Sequence, residues 1–287
     1  MKTQFCPICG PKAGKKPLYP QNFSTTQINA RVFSARRRPD RLHYRIVKCS
    51  GCGLVFSDPI LDEAKIDQLY QRSLFTYADR AKDLTKTYGY YLRQLENYGV
   101  KKNRLLEIGC GNGFMLTEAK RQGYREVLGV EPSRDAANRT APAIRRGIKL
   151  GVFSRKLFPK NYFDVICFFQ TLDHIVNPNQ FIKDCHTVLR PGGLVLAINH
   201  NVDSLPAKLL QEKSPIIDVE HTYLYSPTTM RLIFTKNKFA VLRLGSSFNI
   251  YPLEYIFYLL SLPNYFAWKI KLKLKLGNLF LIAQKPK

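Results

Sequence analysis

The chain has 287 residues, of which 45% are hydrophobic and 12% aromatic, and its formal net charge is +24. This composition excludes a disordered polypeptide, and the length suffices for one sizeable α/β domain with a small appendage. No run approaches the ~20 apolar residues of a membrane span, and the start, "MKTQFCPICG", lacks the apolar core of a signal peptide. We therefore expect a cytoplasmic protein whose cysteines are metal ligands or thiols rather than disulfides.

Basic residues are densest at the two ends of the chain. Residues 1–60 hold 11 Lys and Arg against 2 Asp and Glu, and residues 246–287 hold 6 against 1. Such a field attracts RNA, anionic lipid or phosphorylated substrates, whereas a generally basic surface needs no particular partner. Charge alone leaves these alternatives open.

Two C-x-x-C pairs lie in the first sixty residues. "CPICG" supplies Cys6 and Cys9, and "CSGCG" supplies Cys49 and Cys52. Four thiolates in two such pairs are typical of a tetrahedral zinc site, which is structural because no position stays open for a substrate. The alternatives are unrelated reduced thiols or a redox pair, but neither pair opens a helix as a thioredoxin-like motif would. We predict a structural Zn²⁺ in a zinc ribbon over residues 1–58.

Between these pairs, the stretch "RVFSARRRPDRLHYR" interleaves six arginines with aromatic residues. Such a stretch could hold phosphate groups and stack on a base, or it could be the solvated edge of a hairpin. In the first case the ribbon would hold a phosphorylated substrate or grip RNA.

Helical and strand-like segments alternate through the rest of the chain. The stretches "LDEAKIDQLY" and "DLTKTYGYYLRQLENY" have helical spacing and predict a helical linker or cap over residues 59–100. The predicted strands that follow are Arg104–Ile108, Val127–Glu131, Ile144–Leu150, Phe163–Phe169, Leu194–Asn199, Val241–Leu244 and Leu279–Gln284. This alternation predicts a mostly parallel, doubly wound α/β sheet, in which ligands bind beyond the carboxyl ends of the strands.

A glycine-rich loop, within "LLEIGCGNGFML", follows the first of these strands. Gly109, Gly111 and Gly113 are spaced G-x-G-x-G, whereas a dinucleotide site needs G-x-G-x-x-G and would have its third glycine where Phe114 stands. Glu107, two residues before the first glycine, can face a positively charged ligand. The loop therefore predicts close backbone approach to a ligand other than NAD.

Four segments in order resemble the motifs of class I S-adenosylmethionine-dependent methyltransferases over roughly residues 60–285. They are "LLEIGCGNG", "VLGVEPS", "FDVICFFQTLDHIVNP" and "VLRPGGLVLAI". The resemblance implies a Rossmann-like, seven-stranded methyltransferase sheet with its core in residues 101–245 and its last strand within 246–287. The head, "CPICG…IVKCSGCGLVF", resembles the zinc ribbon of a subgroup that includes sugar C-methyltransferases, which implies a small-molecule or nucleotide-sugar-type acceptor.

The resemblance also implies residues that bind the cofactor, S-adenosylmethionine. Gly109, Gly111 and Gly113 would approach its methionine and ribose parts. Glu107 would help to place the methionine amino group, and Glu131, at the end of the second strand, would accept hydrogen bonds from both ribose hydroxyls.

Further positions would border the cofactor and the substrate. Val152 or Phe153 stands where the family often has an acid beside the adenine, so we expect apolar packing there. Gln170 follows the fourth strand and, with Thr171, Leu172 and His174, should border the cleft.

Methyl transfer to a carbon or hydroxyl is helped by a general base with a pKa near the working pH. Three histidines near strand ends are candidates, His174, His200 and His221, and the alternative role of each is to brace its loop. We rank His221 first and His200 second, because both follow the fifth strand, where the resemblance places the substrate. Base methylation is disfavoured, since the chain reads "FFQT" where enzymes that methylate base amino groups carry [DN]-P-P-[YF].

An insertion lies between the last two predicted strands. "SFNIYPLEYIFYLLSLPNYFAWKIKLKLKLGN" contains an aromatic-rich helix between Pro252 and Pro263, followed by lysines at 269, 271, 273 and 275. It could be a lid, pack on the core, or make peripheral membrane contact through residues 251–276.

The sequence as a whole predicts a zinc-ribbon methyltransferase that acts on a small molecule. The alternatives are an RNA methyltransferase that grips RNA through its ribbon and a cofactor-binding protein without catalysis. The acceptor atom, the pathway and the oligomeric state are not predicted.

Overall fold

The computed structural model describes residues 1–34, 40–259 and 270–287, which form two β-sheets and the helices around them. The strands are β1 (Lys15–Tyr19), β2 (Ile46–Cys49), β3 (Val55–Ser57), β4 (Arg104–Ile108), β5 (Glu126–Glu131), β6 (Ile148–Leu150), β7 (Phe163–Phe169), β8 (Leu189–His200), β9 (Tyr223–Leu224), β10 (Ala240–Pro252) and β11 (Lys271–Gln284). The helices are α1 (Glu63–Gln71), α2 (Ala81–Arg93), α3 (Phe114–Arg121), α4 (Arg134–Asn138), α5 (Pro142–Arg145), α6 (Pro178–Val188), α7 (Leu205–Leu210), α8 (Pro227–Lys236) and α9 (Leu253–Leu259).

The large sheet has seven strands in the order β10-β11-β8-β7-β4-β5-β6. The five strands from β8 to β6 are parallel, and β11 runs antiparallel to both of its neighbours. The chain winds outward from β4 to β6 and then returns to β7 on the other side of β4. The loops after β4 and β7 therefore flank the topological switch, where such sheets bind ligands. The predicted Rossmann-like, seven-stranded and mostly parallel sheet is confirmed.

All of the predicted strands are present, but the accuracy of their predicted bounds differs. The bounds of β4 and β7 match the prediction, and every residue of β7 is buried, as expected for a strand covered on both faces. The prediction was wrong over residues 144–147, because Pro142 starts the short helix α5 and pairing with β5 begins only at Ile148. Proline suits this first helical position because its missing N–H would have no partner there.

The last two strands are longer than predicted and form a hairpin that extends beyond the sheet. The pairing of Asn278 with His200 is the last contact with β8, whereas β10 and β11 stay paired as far as Pro252 and Lys271. Helix α9 follows Pro252 directly. The remainder of the predicted helix, with Pro263 and Lys269, lies outside the described residues.

Lys271, Lys273 and Lys275 of the predicted membrane-facing segment lie on β11. Lys271 binds the carboxylate of Asp83, and Lys273 lies 4.0 Å from the centre of the Phe248 ring. Two of these lysines are therefore engaged within the protein. No helix in the described ranges is long and apolar enough to cross a membrane.

The small sheet joins the amino-terminal segment to the rest of the chain. Its order is β1-β2-β3-β9, and β9 comes from the segment after β8. Phe56 of β3 stacks on Tyr223 of β9, and Cys6 and Cys49 belong to the same buried cluster as Phe168 of β7. The cysteine-bearing segment thus packs directly on the large sheet.

Candidate functional site

A cavity of about 780 Å³ opens at the carboxyl ends of the parallel strands. Among the predicted site residues that line it are Glu107, Gly109, Glu131, Val152, Phe153, Gln170, His174, His200 and His221. Gly111 and Gly113 belong to the same loop as Gly109 but do not line the cavity. The four cysteines are in the small sheet region, outside the cavity lining.

The glycine loop takes backbone conformations that other residues adopt with strain. Gly109, Gly111 and Gly113 have φ of 71°, 54° and 74°. A Cβ at Gly109 would lie 2.7 Å from the Oγ1 of Thr171, and one at Gly111 would meet the hydroxyl of Tyr77. The absence of side chains thus lets β4 approach the loop after β7 and lets Tyr77 cover the glycine loop.

Glu131 ends β5 with both carboxylate oxygens anchored. Oε2 accepts a hydrogen bond from the Gly111 amide at 2.7 Å, and Oε1 accepts one from the Ser133 amide at 2.8 Å. Burial raises the pKa of Glu131, and these two amide bonds oppose the rise. Each oxygen keeps a further lone pair, so the carboxylate can accept hydrogen bonds from two hydroxyls of a ligand.

Glu107 is buried at the carboxyl end of β4. Within the described ranges its Oε2 has no hydrogen-bond partner. Burial, followed by repulsion from Glu131, raises the pKa of Glu107 well above its usual range. An unpartnered buried carboxyl costs about 1–3 kcal/mol or more, so a ligand that brings an ammonium group would relieve this cost. The site therefore fits the methionine end of the predicted cofactor.

The cavity is acidic although the protein as a whole is strongly basic. Seven carboxyl side chains of the described ranges line it, namely those of Glu63, Asp67, Glu107, Glu131, Asp184, Asp218 and Glu220. Among the lining residues that the structure describes, Arg80 is the one Lys or Arg, and the amino-terminal segment contributes Phe33. Arg36, Arg37 and Arg38 of the predicted phosphate-binding stretch lie outside the described residues. The lining therefore favours a cationic ligand over a phosphorylated one.

Apolar side chains border the cavity beyond β6. Val152 is half exposed, and Phe153 packs edge-on against Phe181 with ring centres 5.8 Å apart. Val152 offers an aliphatic surface and Phe153 a flat ring against which an aromatic ring of a ligand can pack. Gln170, after β7, donates its backbone N–H to the Ile198 carbonyl at 2.7 Å, and its Oε1 is buried without a partner among the residues described.

A buried carboxylate, Asp173, orients His200. It accepts hydrogen bonds from Asn199 Nδ2 at 2.9 Å and from His200 Nδ1 at 2.6 Å. Burial acts to raise the pKa of Asp173, but the hydrogen bond from His200 and the neighbouring histidines hold it well below its usual range. Because an ionised carboxylate only accepts, Nδ1 of His200 carries a proton, and in the neutral ring the lone pair is therefore on Nε2. His200 lines the cavity, so this lone pair belongs to a histidine within reach of a ligand.

His174 and His221 complete a cluster around Asp173. The His221 ring centre lies 4.7 Å from that of His200 and 4.8 Å from that of His174. His221 Nδ1 donates to the Ile216 carbonyl at 2.9 Å, and His174 Nδ1 hydrogen-bonds the Tyr70 hydroxyl at 2.8 Å. Burial, followed by the charges of His200 and His174, lowers the pKa of His221 to about 3, and burial also lowers the pKa of His174.

The low pKa of His221 makes stability depend on pH. Between about pH 6.5 and pH 3 the unfolded chain binds a proton at His221 that the folded protein does not bind, so acid favours unfolding. We expect this residue to account for about 2 kcal/mol of the stability lost between pH 7 and pH 5. In His221→Asn, whose side-chain amide can still donate to Ile216, urea unfolding at the two pH values should show a loss smaller by that amount. Equal losses in variant and wild type would contradict the expectation.

Sequence reasoning missed residues whose role depends on tertiary contacts. Asp173 stands between predicted cleft residues in "TLDHI", and an acid beside a histidine after a buried strand was the available signal. The sequence offered no signal for Tyr77 and Tyr88, because tyrosines fit the apolar face of a helical linker. Tyr88 stacks on Phe169 with ring centres 4.4 Å apart and lines the cavity.

Curated proteins similar to this chain are methyltransferases. An uncharacterized methyltransferase of Schizosaccharomyces pombe is 29% identical over 133 residues, which are 42% of this chain and 46% of that protein. A ubiquinone biosynthesis O-methyltransferase of Caulobacter is 26% identical over 103 residues, 34% of this chain and 41% of that enzyme. The chain thus spans less than half the length of these relatives.

Solved structures share the fold at low identity. A SAM-dependent methyltransferase from Archaeoglobus fulgidus matches with a TM-score of 0.50 and 17% identity, over 73% of this chain and 99% of that one. The YcgJ protein of Bacillus subtilis matches with a TM-score of 0.51 and 14% identity, over 70% and 99%. A family model described as a methyltransferase domain matches residues 77–244, more than half of the chain. The predicted methyltransferase is thereby confirmed at the level of the family: the chain belongs to the methyltransferase domain family.

Proposed function

We propose that the protein transfers the methyl group of S-adenosylmethionine to an uncharged small molecule in this cavity. The observation that carries the proposal is that one cavity joins two carboxyl groups suited to the cofactor, Glu107 and Glu131, with the oriented pair of His200 and Asp173. The pair gives the cavity a proton acceptor beside the cofactor site, which a cofactor-binding protein without catalysis does not require.

The cofactor side of the cavity is proposed to work through complementary charge. Glu131 would accept the ribose hydroxyls, Glu107 would face the methionine ammonium group, and Val152 and Phe153 would flank the adenine. When bound, S-adenosylmethionine supplies a methyl group on a positively charged sulfur. Acidic walls would stabilise that cation, and Glu131, anchored by two amides, would position the ligand before reaction.

The acceptor side is proposed to hold the base. His200 would take the acceptor's proton on Nε2, and Asp173 would hold the ring and stabilise the imidazolium that forms. This assignment favours His200 over His221, which the sequence ranked first. A histidine with a pKa near 3 is a weak base at neutral pH, and His221 is better suited to pack against and confine the His200 ring.

The acceptor is proposed to be a hydroxyl or carbon acid without a phosphate. The relatives named for ubiquinone biosynthesis are O-methyltransferases, whereas the resemblance of the zinc ribbon points to sugar C-methylation. A nucleotide-linked sugar or RNA would bring negative charge to a wall in which the described lining offers Arg80 against seven carboxyl groups. The acidic lining thus disfavours both a phosphorylated acceptor and RNA.

We further propose that the amino-terminal segment binds a structural Zn²⁺. Four Sγ atoms lie within 4.8 Å of one another, those of Cys6, Cys9, Cys49 and Cys52. The Sγ atoms of Cys6 and Cys52 are 3.5 Å apart. Tetrahedral zinc with bonds of about 2.3 Å sets its sulfurs roughly 3.8 Å apart, so small shifts of the four side chains would complete the site.

Replacement of Glu131 tests the cofactor site. Because Glu131→Gln removes the charge that would receive two hydroxyl donors, we expect calorimetry to show about 10- to 100-fold weaker binding of S-adenosylmethionine. Glu126→Gln, at the partly exposed start of the same strand, is the matched control and should bind like the wild type. Equal affinity in all three proteins, or no binding by the wild type, would contradict the proposal.

A further inference from the structure

Two exposed leucines of α7 stand at the border of the cavity. Leu205 and Leu209 are 63% and 73% exposed, yet both line it. They lie four residues apart, so they share one face of the helix. The N-cap Ser204 accepts a hydrogen bond from the Ala207 amide, and α7 packs against β11, which fixes this face beside the hairpin.

The extended part of the β10–β11 hairpin supplies another apolar wall. Leu274, Leu276 and Tyr251 line the cavity, whereas Lys271 and Lys273 contact Asp83 and Phe248. Side chains alternate between the two faces of a strand, so the repeated Lys-Leu pattern places leucines toward the cavity and lysines away from it. Leu274 and Leu276 of the pattern that suggested membrane contact therefore line the cavity.

Polarity changes along the cavity from its inner end to solvent. His200 lies at the end of β8 and Asp173 in the loop after β7, whereas the two leucines of α7 and Leu276 of the hairpin are exposed. A small polar acceptor would leave these leucines in water. A molecule with its reacting group at His200 and an apolar chain directed outward would cover them, gaining free energy roughly in proportion to the apolar area buried.

We propose that the methyl acceptor carries an apolar chain that lies between α7 and the β10–β11 hairpin. The inference rests on the proposed function in that His200 marks the reacting end. A single exposed leucine is ordinary on a protein surface. Here Leu205 and Leu209 are continuous with a second apolar wall and with a cavity, as in a binding groove.

The test uses 4-alkylphenols with chains of four to ten carbons, titrated calorimetrically into the protein with saturating S-adenosylhomocysteine so that no transfer occurs. We expect Kd to fall about two- to fourfold for each added methylene until the chain passes Leu209. The double variant Leu205→Ser/Leu209→Ser should lose most of this dependence. Both side chains are exposed, so folding should persist, and a thermal melt checks it. Leu232→Ser on α8, 37% exposed and outside the cavity lining, should keep the dependence.

Three results would overturn the inference. One is a Kd that does not depend on chain length, and another is a double variant that behaves like Leu232→Ser. The third is binding of the wild type, but not of the double variant, to phosphatidylglycerol vesicles without any chain-length dependence in solution, which would assign the leucines to a membrane surface. A parallel titration with S-adenosylmethionine separates the two proposals. A wild type that does not bind the cofactor contradicts the proposed function, whereas a wild type that binds the cofactor but shows no chain-length dependence contradicts only this inference.

Discussion

His200→Asn is expected to lower kcat by about 10²- to 10⁴-fold and to change the affinity for S-adenosylmethionine by less than about threefold. The range is that of a lost general base. Asparagine can still donate to Asp173 from its amide, so the buried carboxylate keeps its partner while the lone pair at Nε2 disappears. Transfer of a labelled methyl group to an acceptor, together with calorimetry of cofactor binding, measures the two effects separately.

Two further variants show whether His200 acts as the base and Asp173 as its positioning residue. His221→Asn should lower kcat less than about tenfold, because His221 is proposed only to confine the His200 ring. Asp173→Asn should lower kcat and also move the acid limb of the kcat/KM profile to lower pH, since the imidazolium loses its carboxylate. A large loss in His221→Asn with normal turnover in His200→Asn would restore the ranking made from the sequence.

The arrangement of the large sheet could be predicted because local signals agreed with it. Val165 and Ile166 stand in a short β-rich run that is fully buried, as a strand between two helical layers requires. Gly109, Gly111 and Gly113 mark the loop after β4, and their positive φ values show why this stretch could not continue as strand or helix. Boundaries failed where one residue outweighed the hydrophobic pattern, as Pro142 did at α5.

The working parts of the site were harder to predict because they arise from distant segments. Asp173 gains its role from Asn199 and His200, which lie 26 and 27 residues away. Tyr77 reaches the glycine loop from the linker before α2. No periodic pattern in the sequence predicts either contact, because only the fold brings these residues together.

The charge of the cavity lining could not be predicted from the composition of the chain. A net charge of +24 suggested anionic partners, but seven of the 21 Asp and Glu residues line the cavity, in which Arg80 is the one Lys or Arg among the described lining residues. Local lining therefore decides which ligand fits, and net charge describes the rest of the surface.

Loss of zinc is expected to destabilise the whole protein rather than the amino-terminal segment alone. Cys6 and Cys49 belong to one buried cluster with Phe168 of the large sheet, and β9 pairs with β3. Four thiols brought together without a metal would lose the coordination that stabilises small zinc sites by as much as about 10 kcal/mol. We expect Cys49→Ser to lack zinc and to melt at least about 10 °C below the wild type.

Metal analysis and a melting curve make this test specific. The wild type should contain one zinc per chain, and Cys185→Ala, which alters a buried thiol of α6 that is not one of the four proposed ligands, should retain it. A single melting transition that shifts in Cys49→Ser would indicate that the ribbon and the sheet unfold together, as their shared cluster requires. Two separate transitions would show that the contacts through Phe168 and β9 couple them weakly. A wild type without zinc, matched in stability by Cys49→Ser, would mean that the four cysteines are thiols buried by packing alone.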